Sequence, residues 1–230
     1  MKIAEAAFLG RGIYSVQEAA ALTGVSARRL RRWLLGYEFR LHGEPRLSEK
    51  ILDGELPSIN GTSALSFLDL QEARCIAEFR KRGVGWQSLR EAHTRGQSDL
   101  RTSHPFGTGQ FKTVGRRLMW DAATEENDGI LLDIARSQTS FRSVLAQFLR
   151  GIEFLNDRPV RWFPLSGSKR IVIDPRRNFG RPIVKERGVP TAILAQSYDA
   201  EGSFEKVSRW YEVDIRSVKD AVRFEHDIAA

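Results

Sequence analysis

The sequence predicts a mainly α-helical fold with a smaller β component (α+β), arranged in three parts along the chain. Capped helical segments at both ends, and a helical spacing of apolar residues between them, favour helices over extended sheets. We expect a winged helix-turn-helix domain in residues 1–100, a small mixed β/α middle region in residues 101–173, and a helix-turn-helix-like domain in residues 174–230. A chain of 230 residues is long enough for one large domain or for two to three small ones.

Two short helices joined by a tight turn are predicted in Tyr14–Tyr37. Ser15 is followed three residues later by Glu18, which is the pattern of a capping box at a helix N-terminus. Gly24 interrupts the apolar spacing, and glycine adopts backbone conformations that a β-carbon resists. A short helix, a glycine turn and a second helix form a helix-turn-helix pattern.

The second of these helices is predicted over Ala27–Leu35, with Ser26 as its N-cap and Gly36 at its end. At about 100° per residue, its arginines fall opposite or beside the apolar side that contains Leu30. Arginine neutralises phosphates and reads guanine, so this helix is a candidate recognition helix for the major groove. The candidate DNA-binding residues are Ser26, Arg28, Arg29, Arg31 and Arg32. A solvated cationic face without a ligand is the alternative interpretation.

The following segments alternate between turns and amphipathic helices. Arg40–Asn60 is rich in turn-forming residues and is predicted to hold short strands or a wing. Its turn-forming residues are Gly43, Pro45, Asp53-Gly54, Pro57 and, with the residue that follows, Asn60-Gly61. Leu65–Arg82 is predicted to be an amphipathic helix, followed by a shorter helix over Trp86–Thr94.

In the middle region, the sequence predicts both strands and helices. Glycine, proline and aromatic residues in Thr102–Leu132 predict short strands and turns. Ser140–Leu155 is predicted to be helical, and Arg161–Pro164 and Arg170–Ile173 are predicted to be strands.

The tail begins with a predicted loop, Asp174–Val189, and continues with a predicted helix over Thr191–Tyr198. Two further helices are expected because each is preceded by a capping residue. These helices are Phe204–Tyr211 with Ser203 as cap and Ile215–His226 with Asp214 as cap.

The charge is concentrated in the first three quarters of the chain. The formal net charge is +7 and the calculated pI is about 9.8, a balance that favours anionic partners. Residues 174–230 contain ten basic and ten acidic residues, so the whole excess lies in residues 1–173. The single cysteine excludes an internal disulfide and favours the reducing cytoplasm. We identify neither a signal peptide nor a membrane-spanning segment.

Catalytic chemistry is not predicted, and neither is a metal site or a cofactor. The histidines are scattered and lack metal-ligand spacing. They are His42, His93, His104 and His226. Cys75 lies within an apolar stripe and is expected to be an inert buried residue. Gly107-Thr108-Gly109 lacks the lysine of a phosphate-binding loop and is predicted to be a turn.

The N-terminal segments resemble a known family. YSVQEAAALTGVSARRLRRWLLGY (Tyr14–Tyr37) resembles the DNA-binding element of MerR-like winged helix proteins. With LSFLDLQEARCIAEFRKRGVGWQSLREA (Leu65–Ala92) and HPF (His104–Phe106), it resembles the helix-turn-helix domain of a branch of VapB-type antitoxins.

The tail resembles a second family that occurs in many antitoxins of toxin–antitoxin operons. The matching segments are GRPIVKERGVPT (Gly180–Thr191) and GSFEKVSRWYEVDIRSVKDAVRFE (Gly202–Glu225). This chain departs from the family pattern at Arg187-Gly188-Val189-Pro190, where a glycine is inserted.

These resemblances imply an antitoxin that binds double-stranded operator DNA and represses its own operon. We expect it to be a homodimer, because helix-turn-helix proteins usually dimerise to match two-fold operators. The resemblances also imply a partner toxin, a PIN-like ribonuclease whose acidic residues hold a divalent metal. Because that site is acidic, we expect Arg176, Arg181 and Lys185 to contact the toxin. The candidate interface residues of the tail are Phe179, Arg181, Trp210, Tyr211 and Phe224. For Trp210, Tyr211 and Phe224 the alternative is that they are ordinary core residues of a small domain.

Two other functions remain open from the sequence. One is a stand-alone MerR-like regulator that senses a small ligand through Thr102–Pro164. The other is an adaptor that stacks RNA bases on exposed aromatics beside basic residues. The candidate RNA patch is Phe111, Arg116, Arg117 and Trp120.

Overall fold

The computed structural model describes residues 8–58 and 63–229, and the predicted mainly α-helical fold with minor β structure is confirmed. The helices are α1 (Val16–Thr23), α2 (Ala27–Leu35), α3 (Phe67–Lys81), α4 (Trp86–Leu100), α5 (Phe111–Glu125), α6 (Gly129–Arg136), α7 (Gln138–Leu149), α8 (Thr191–Glu201), α9 (Phe204–Tyr211) and α10 (Ile215–Ala229). The strands are β1 (Tyr14–Ser15), β2 (Tyr37–Leu41), β3 (Glu44–Ser48), β4 (Ala64–Leu65), β5 (Ile152–Leu155), β6 (Arg158–Trp162), β7 (Ile171–Val172) and β8 (Ile183–Val184).

The chain groups into two compact units. The first, called the N-terminal unit here, consists of Ser15–Leu149 and Leu155–Pro159. The second, called the C-terminal unit, consists of the residues up to Tyr14, Arg150–Phe154 and the residues from Val160 onward. The three domains expected from the sequence, residues 1–100, 101–173 and 174–230, remain a prediction.

The helix-turn-helix of the N-terminal unit forms as its capping residues predict. Ser15 Oγ accepts a hydrogen bond from Glu18 N at 3.1 Å, and Ser15 N donates to the Glu18 carboxylate at 2.8 Å, which completes the capping box. Gly24 ends α1 in the left-handed conformation with φ 67°. Gly36 ends α2 with φ 73°, and a β-carbon there would lie 2.7 Å from the Ser48 carbonyl oxygen. Both glycines are therefore required by the backbone path.

The predicted wing is an antiparallel hairpin of β2 and β3. Its turn consists of His42 and Gly43, both with positive φ, which is the geometry that matches the twist of a two-residue hairpin. Leu41 pairs with Glu44 across this turn. The chain then returns to α2, where the Trp33 carbonyl accepts hydrogen bonds from Ile51 N and Leu52 N. The Asn60-Gly61 pair lies outside the described residues.

The long helix α3 begins with a second capping box, in which Ser66 Oγ accepts from Asp69 N at 3.1 Å. Helix α4 runs to Leu100, beyond the predicted end at Thr94. It continues through Gly96 because that position packs closely on Pro105: a β-carbon at Gly96 would lie 2.6 Å from the proline. This glycine serves a close approach and does not end the helix.

The prediction of strands and turns over Thr102–Leu132 is wrong beyond residue 110, because α5 and α6 occupy most of this segment. The buried residues of α5 recur at the helical spacing of three and four residues. They are Phe111, Gly115, Leu118, Met119, Ala122 and Ala123. Gly115 occurs within the helix because the Phe111 ring covers it, 2.6 Å from the position of a β-carbon. The glycine and aromatic residues that suggested strands are packing residues of a helix.

The C-terminal unit combines small hairpins with three helices. Strands β7 and β8 pair within it, and Phe163, Val172 and Ile183 form a buried apolar cluster. Strands β5 and β6 also pair with each other. The predicted helix over Ser140–Leu155 is too long at its C-terminal end, since α7 stops at Leu149 and β5 follows. The caps of α9 and α10 are confirmed: Ser203 and Asp214 accept backbone hydrogen bonds at 3.3 Å and 3.0 Å.

Candidate nucleic-acid interface

The outward direction of the arginines of α2 is set by the opposite, apolar side of the helix, which is buried. Leu30, Trp33 and Leu34 are buried, so the orientation of the helix about its axis is fixed by packing. The remaining positions face outward. Arg28, Arg29 and Arg31 are exposed, and Arg32 is half-buried. The structure thus presents the predicted arginines from one rigid helix of nine residues, none of which is acidic.

Arg32 is the most constrained of these arginines. Its guanidinium carbon lies 4.4 Å from the centroid of the Tyr37 ring at the start of the wing. This cation–π contact limits the rotamers of Arg32 while leaving its guanidinium edge available for hydrogen bonds. Tyr37 in turn lies 5.9 Å from Phe39 on the same face of the hairpin. Helix α2 and the wing are therefore linked through side chains.

Ser26 lies at the N-cap position of α2 but does not cap it, so the predicted capping role is wrong. Its backbone has φ −56° and ψ 143°, and its side chain makes no capping hydrogen bond within the described part of the chain. The serine is exposed. As a result, Ser26 gives the backbone N–H groups in the first turn of α2 no side-chain acceptor, and it does not offset the positive end of the helix dipole.

A cationic cavity of about 430 Å³ opens beside α2. It lies among α2, the end of the wing, the end of α3 and the start of α4, all within the N-terminal unit. Its basic lining residues are Arg29, Arg32, Arg80, Lys81 and Arg90, and its acidic lining residue is Glu49. The contributions of α3 and α4 to this cavity were not predicted from the sequence. The basic run at the end of α3, immediately before the break at Gly83, was the signal for the first of them.

Tryptophans stiffen the wall of this cavity. Trp33 and Trp86 meet edge to face with centroids 5.6 Å apart, and the Arg80 guanidinium lies 4.7 Å from the Trp86 ring centroid. Burial lowers the pKa of Arg80, and the like charge of Arg29 lowers it further. The Arg29 and Arg80 charges repel each other across the cavity, and an anion placed between them would relieve this repulsion.

Arg90 joins the wing to α4. Its guanidinium donates to Ser48 Oγ at 2.8 Å and to the Glu49 carbonyl oxygen at 2.6 Å. Its buried Nε has no hydrogen-bond partner among the residues that the structure describes. The wing is thus held at its base, and its two strands expose Phe39, Leu41 and Leu47. These exposed apolar residues lie on a strand pair that adjoins the cationic surface.

Beneath this surface, α3 carries the buried carboxylate of Asp69. Asp69 Oδ1 lies 2.7 Å from His104 Nε2, and Asp69 Oδ2 accepts from Ser66 N at 2.8 Å. Burial alone would lower the pKa of His104, but the hydrogen bond to Asp69 and the charges of Glu72 and Asp69 raise it above its ordinary value. The pair ties α3 to the segment that precedes α5.

A second buried carboxylate lies one turn along α3. Glu72 accepts from Gly107 N at 2.7 Å, and its Oε1 lies 2.9 Å from His93 Nε2 in an ion-pair geometry rather than that of an aligned hydrogen bond. The predicted turn at Gly107-Thr108-Gly109 is confirmed, and it is held by this carboxylate. The sequence signal was a pair of acids three residues apart within an apolar stripe, which is unusual for a solvated helix face.

The predicted toxin-contacting residues lie in the C-terminal unit. Arg176, Arg181 and Lys185 are exposed, on the loop that contains a short 3₁₀ turn over Asn178–Gly180 and the strand β8. The Lys185 ammonium lies 5.8 Å from the Phe163 ring centroid.

The tail aromatics differ in their environments. Phe224 is buried in α10, as expected of a core residue, and Tyr211 is half-buried with its hydroxyl 2.9 Å from Ser197 Oγ. Trp210 and Phe179 are 57% and 61% exposed, so neither belongs to the core.

The sequence-predicted RNA patch does not have the surface that RNA stacking needs. Phe111 is buried in α5, and the segment is helical rather than a sheet. Arg116 donates to the Ala135 carbonyl at 3.3 Å, and Arg117 pairs with Asp99 at 3.1 Å. Trp120 is partly exposed.

Within residues 8–58 and 63–229, no group of three or more histidine, cysteine or acidic side chains is placed to hold a metal ion. Among the same residues, no helix has the length and apolar character that crossing a membrane requires.

Comparisons with known proteins match the two ends of the chain to family models. Residues 12–93 match a family described as "Putative DNA-binding HTH domain", which covers α1, α2, the wing, α3 and about half of α4. Residues 171–224 match DUF433, described as a protein of unknown function, which covers β7 through most of α10.

A curated relative spans nearly the whole chain. It is "Putative antitoxin VapB45" of Mycobacterium tuberculosis, 26% identical over 221 residues, with 91% of this chain and 92% of the relative covered. The chain is similar to a VapB-type antitoxin along most of its length. The predicted resemblance is thereby confirmed. The crystal structure of Rv2018 from the same organism has the same fold, with a TM-score of 0.69, 22% identity, and coverage of 91% of this chain and 96% of that one.

Proposed function

We propose that this chain is the antitoxin of a type II toxin–antitoxin pair, which binds double-stranded operator DNA and represses its own operon. It acts in the cytoplasm as a homodimer, has no catalytic activity of its own, and neutralises a PIN-like ribonuclease toxin. The observation that carries the DNA-binding part is α2, a rigid helix with a buried apolar side, outward arginines and no acidic residue. The similarity to a VapB-type antitoxin supports the toxin-binding part.

In this proposal α2 enters the major groove with its N-terminus near a phosphate. The uncapped backbone amides of the first turn, together with the Ser26 hydroxyl, donate hydrogen bonds to phosphate oxygens, which take the place of the missing side-chain cap. Arg28 and Arg31 project from the exposed side and reach base edges or phosphates. Arg80 and Lys81 from the end of α3 add phosphate contacts through the cationic cavity.

A homodimer follows from the weakness of one recognition helix. A single helix-turn-helix contacts one half-site, and two copies related by a two-fold axis match an operator with the same symmetry. The exposed wing residues Phe39, Leu41 and Leu47 flank the DNA-facing side in this arrangement.

The test is a double substitution in α2. Arg28→Ala with Arg32→Ala should weaken binding to the DNA upstream of this gene by about tenfold or more, and should lower the slope of log affinity against log salt, since two cations are lost. Fluorescence anisotropy over a range of salt concentrations measures both quantities.

The matched control is Arg216→Ala with Arg223→Ala, which removes two exposed arginines from α10 in the C-terminal unit. It should leave both operator affinity and the salt slope near their wild-type values. Unchanged operator affinity in the α2 double variant would refute the assignment of α2 as the recognition helix.

Toxin neutralisation is the second part of the proposal, and exposed cations in the C-terminal unit support it. A ribonuclease site built from carboxylates attracts Arg176, Arg181 and Lys185. Reversal of all three to glutamate should abolish the growth rescue that this chain gives to cells expressing the protein encoded by the adjacent reading frame. Operator binding should remain intact.

The control triple variant reverses Lys206, Arg209 and Arg223, which are exposed in the same unit and change the net charge by the same amount. Rescue should persist with it. If the adjacent protein is not toxic at all, the stand-alone regulator becomes the better proposal, and a ligand search over the helical middle region replaces the growth test.

A further inference from the structure

An exposed aromatic ring is held in a strained backbone conformation on the loop before β8. Phe179 has φ 54° and ψ 24°, in the left-handed region, and its neighbour Asn178 has φ 45°. Asparagine tolerates this region, but for a bulky residue such as phenylalanine it is an outlier. The Phe179 side chain is 61% exposed, so packing of the ring within the chain does not explain the strain.

The surrounding chain holds this turn firmly in place. Ile13 N donates to the Phe179 carbonyl at 2.8 Å, and the Tyr14 hydroxyl donates to the Gly180 carbonyl at 2.8 Å. Gly180 itself cannot carry a side chain, because a β-carbon there would lie 2.3 Å from the Tyr14 hydroxyl oxygen. Arg177 N donates to the Asp174 carbonyl at 2.9 Å. The strained conformation is therefore imposed from several sides, which is the condition under which such strain persists.

The side chains beside the ring are cationic. Arg176 and Arg181 are exposed on either side of it in sequence, and Arg177 donates to the Lys185 carbonyl at 2.7 Å. The nearest acid in sequence, Asp174, is buried, and its carboxylate accepts from the Arg161 guanidinium at 2.9 Å and from Arg176 N at 3.0 Å. The turn thus presents an aromatic ring between arginines, without an exposed carboxylate in residues 174–181.

We propose that Phe179 is the aromatic anchor of the toxin interface, seated in an apolar pocket of the partner that carboxylates surround. The inference rests on the toxin neutralisation proposed above and names the residue that dominates it. Aromatic residues and arginines account for most of the binding energy in protein interfaces, particularly when they are already rigid before binding. The turn is rigid because its backbone is fixed by the hydrogen bonds to Ile13 and Tyr14.

A protein partner fits this turn better than a nucleic acid does. Residues 174–230 contain ten basic and ten acidic residues, so they generate no net attraction for a polyanion. The pattern that remains is local, with one exposed ring and two flanking guanidinium groups. Such a pattern matches a small pocket with acidic edges on a folded surface.

The decisive variant is Phe179→Asn. Asparagine adopts the left-handed conformation readily, so the turn is kept while the ring is removed. We expect the affinity for the purified protein of the adjacent reading frame, measured by isothermal titration, to fall by about 30-fold or more. We also expect the thermal midpoint of the free protein to rise by about 2 to 4 °C, because backbone strain is released and little buried area is lost.

The control is Ile193→Ala, which removes another exposed apolar side chain from the same unit and should leave affinity near the wild-type value. Wild-type affinity in Phe179→Asn, together with loss of binding in the charge-reversed triple variant, would overturn this inference and leave the proposed function standing. Wild-type affinity in both would overturn both.

Two further outcomes of the Phe179→Asn experiment would also overturn the inference. A fall in the thermal midpoint would show that the ring serves folding. A loss of operator binding with toxin binding retained would show that the ring contacts nucleic acid instead.

Discussion

The helix pairs α1–α2 and α9–α10 have nearly the same backbone design and different surfaces. In each pair a left-handed residue ends the first helix, Gly24 with φ 67° in the first and Glu212 with φ 50° in the second. A buried valine follows in each case, Val25 in the first and Val213 in the second. The turn is thus built in the same way twice, once with glycine and once without it.

The N-terminus of the second helix distinguishes the two pairs. Burial alone would raise the pKa of Asp214, but its hydrogen bonds, first to Ser217, lower it, so that this carboxylate stays ionised at the start of α10. Ser26 occupies the equivalent position before α2, is uncharged and makes no cap. The positive end of the α10 dipole therefore has a carboxylate of the chain beside it, whereas the N-cap side chain of α2 supplies no such charge.

The outward faces follow the same division. Helix α2 carries four arginines and no acid, whereas α10 intersperses its bases with acids. The charged residues of α10 are Arg216, Lys219, Asp220, Arg223, Glu225 and Asp227. The spacing of a helix-turn-helix motif therefore predicts the path of the backbone. The N-cap residue and the charge of the second helix predict whether the surface of that motif suits a polyanion.

The support beneath each pair also differs. The first pair lies in a unit whose helix α3 holds buried carboxylates, Asp69 and Glu72, whereas α10 packs on α8 through apolar residues such as Leu194 and Val218. Buried ions depend on their partners, and apolar contacts depend mainly on area. The N-terminal unit should therefore be the more sensitive of the two to the loss of a single polar atom.

The largest expected effect tests this sensitivity. Asp69→Asn removes the charge that faces His104 and should destabilise the N-terminal unit by about 3 kcal/mol, because one partner of a buried pair is left behind. Equilibrium unfolding in urea measures the loss. The C-terminal unit should keep its stability, which amide hydrogen exchange over α8 to α10 can follow separately.

The pH dependence provides the control for this variant. The raised pKa of His104 means that the pair contributes stability that is fully present below the ordinary histidine pKa and is lost as pH rises through the raised value. The wild-type protein should therefore lose stability on going from weakly acidic to alkaline pH, and Asp69→Asn should show a smaller loss. Equal pH profiles for the two proteins would contradict the role given to this pair.

The sequence predicted the parts of the fold that depend on local chemistry. The Ser15 capping box, the bounds of α2 and the caps at Ser203 and Asp214 are determined within a few residues of the chain, and all were predicted. Helix α5 was not predicted, because its glycine and aromatic residues suggest strands and turns when the sequence is considered alone. Their role is in side-chain packing, as at Gly115, which the ring of Phe111 covers.

The candidate site was predictable to a similar degree and for the same reason. The arginines of α2 could be found because a helix places them on one side by its own period. The cationic cavity could not, because Arg80 and Arg90 reach it from helices far away in sequence. The strain at Phe179 also depends on Ile13 and Tyr14, which are more than 160 residues away.

The smaller expected effect tests the comparison of the N-termini directly. Ser26→Asp gives α2 the kind of cap that α10 already has. It should stabilise the N-terminal unit by about 0.5 to 1 kcal/mol, because an aspartate accepts from the first-turn amides and complements the helix dipole. It should also weaken operator binding by about tenfold, because the carboxylate occupies the position of a phosphate oxygen and repels it. Urea unfolding and fluorescence anisotropy measure the two changes, which have opposite signs.

The reciprocal variant Asp214→Ser should destabilise α10 by a similar amount without creating DNA affinity, since that helix keeps its acids. A Ser26→Asp protein that binds its operator normally would mean that the open end of α2 does not contact DNA, and the difference between the two helix pairs would then reside in the arginines alone.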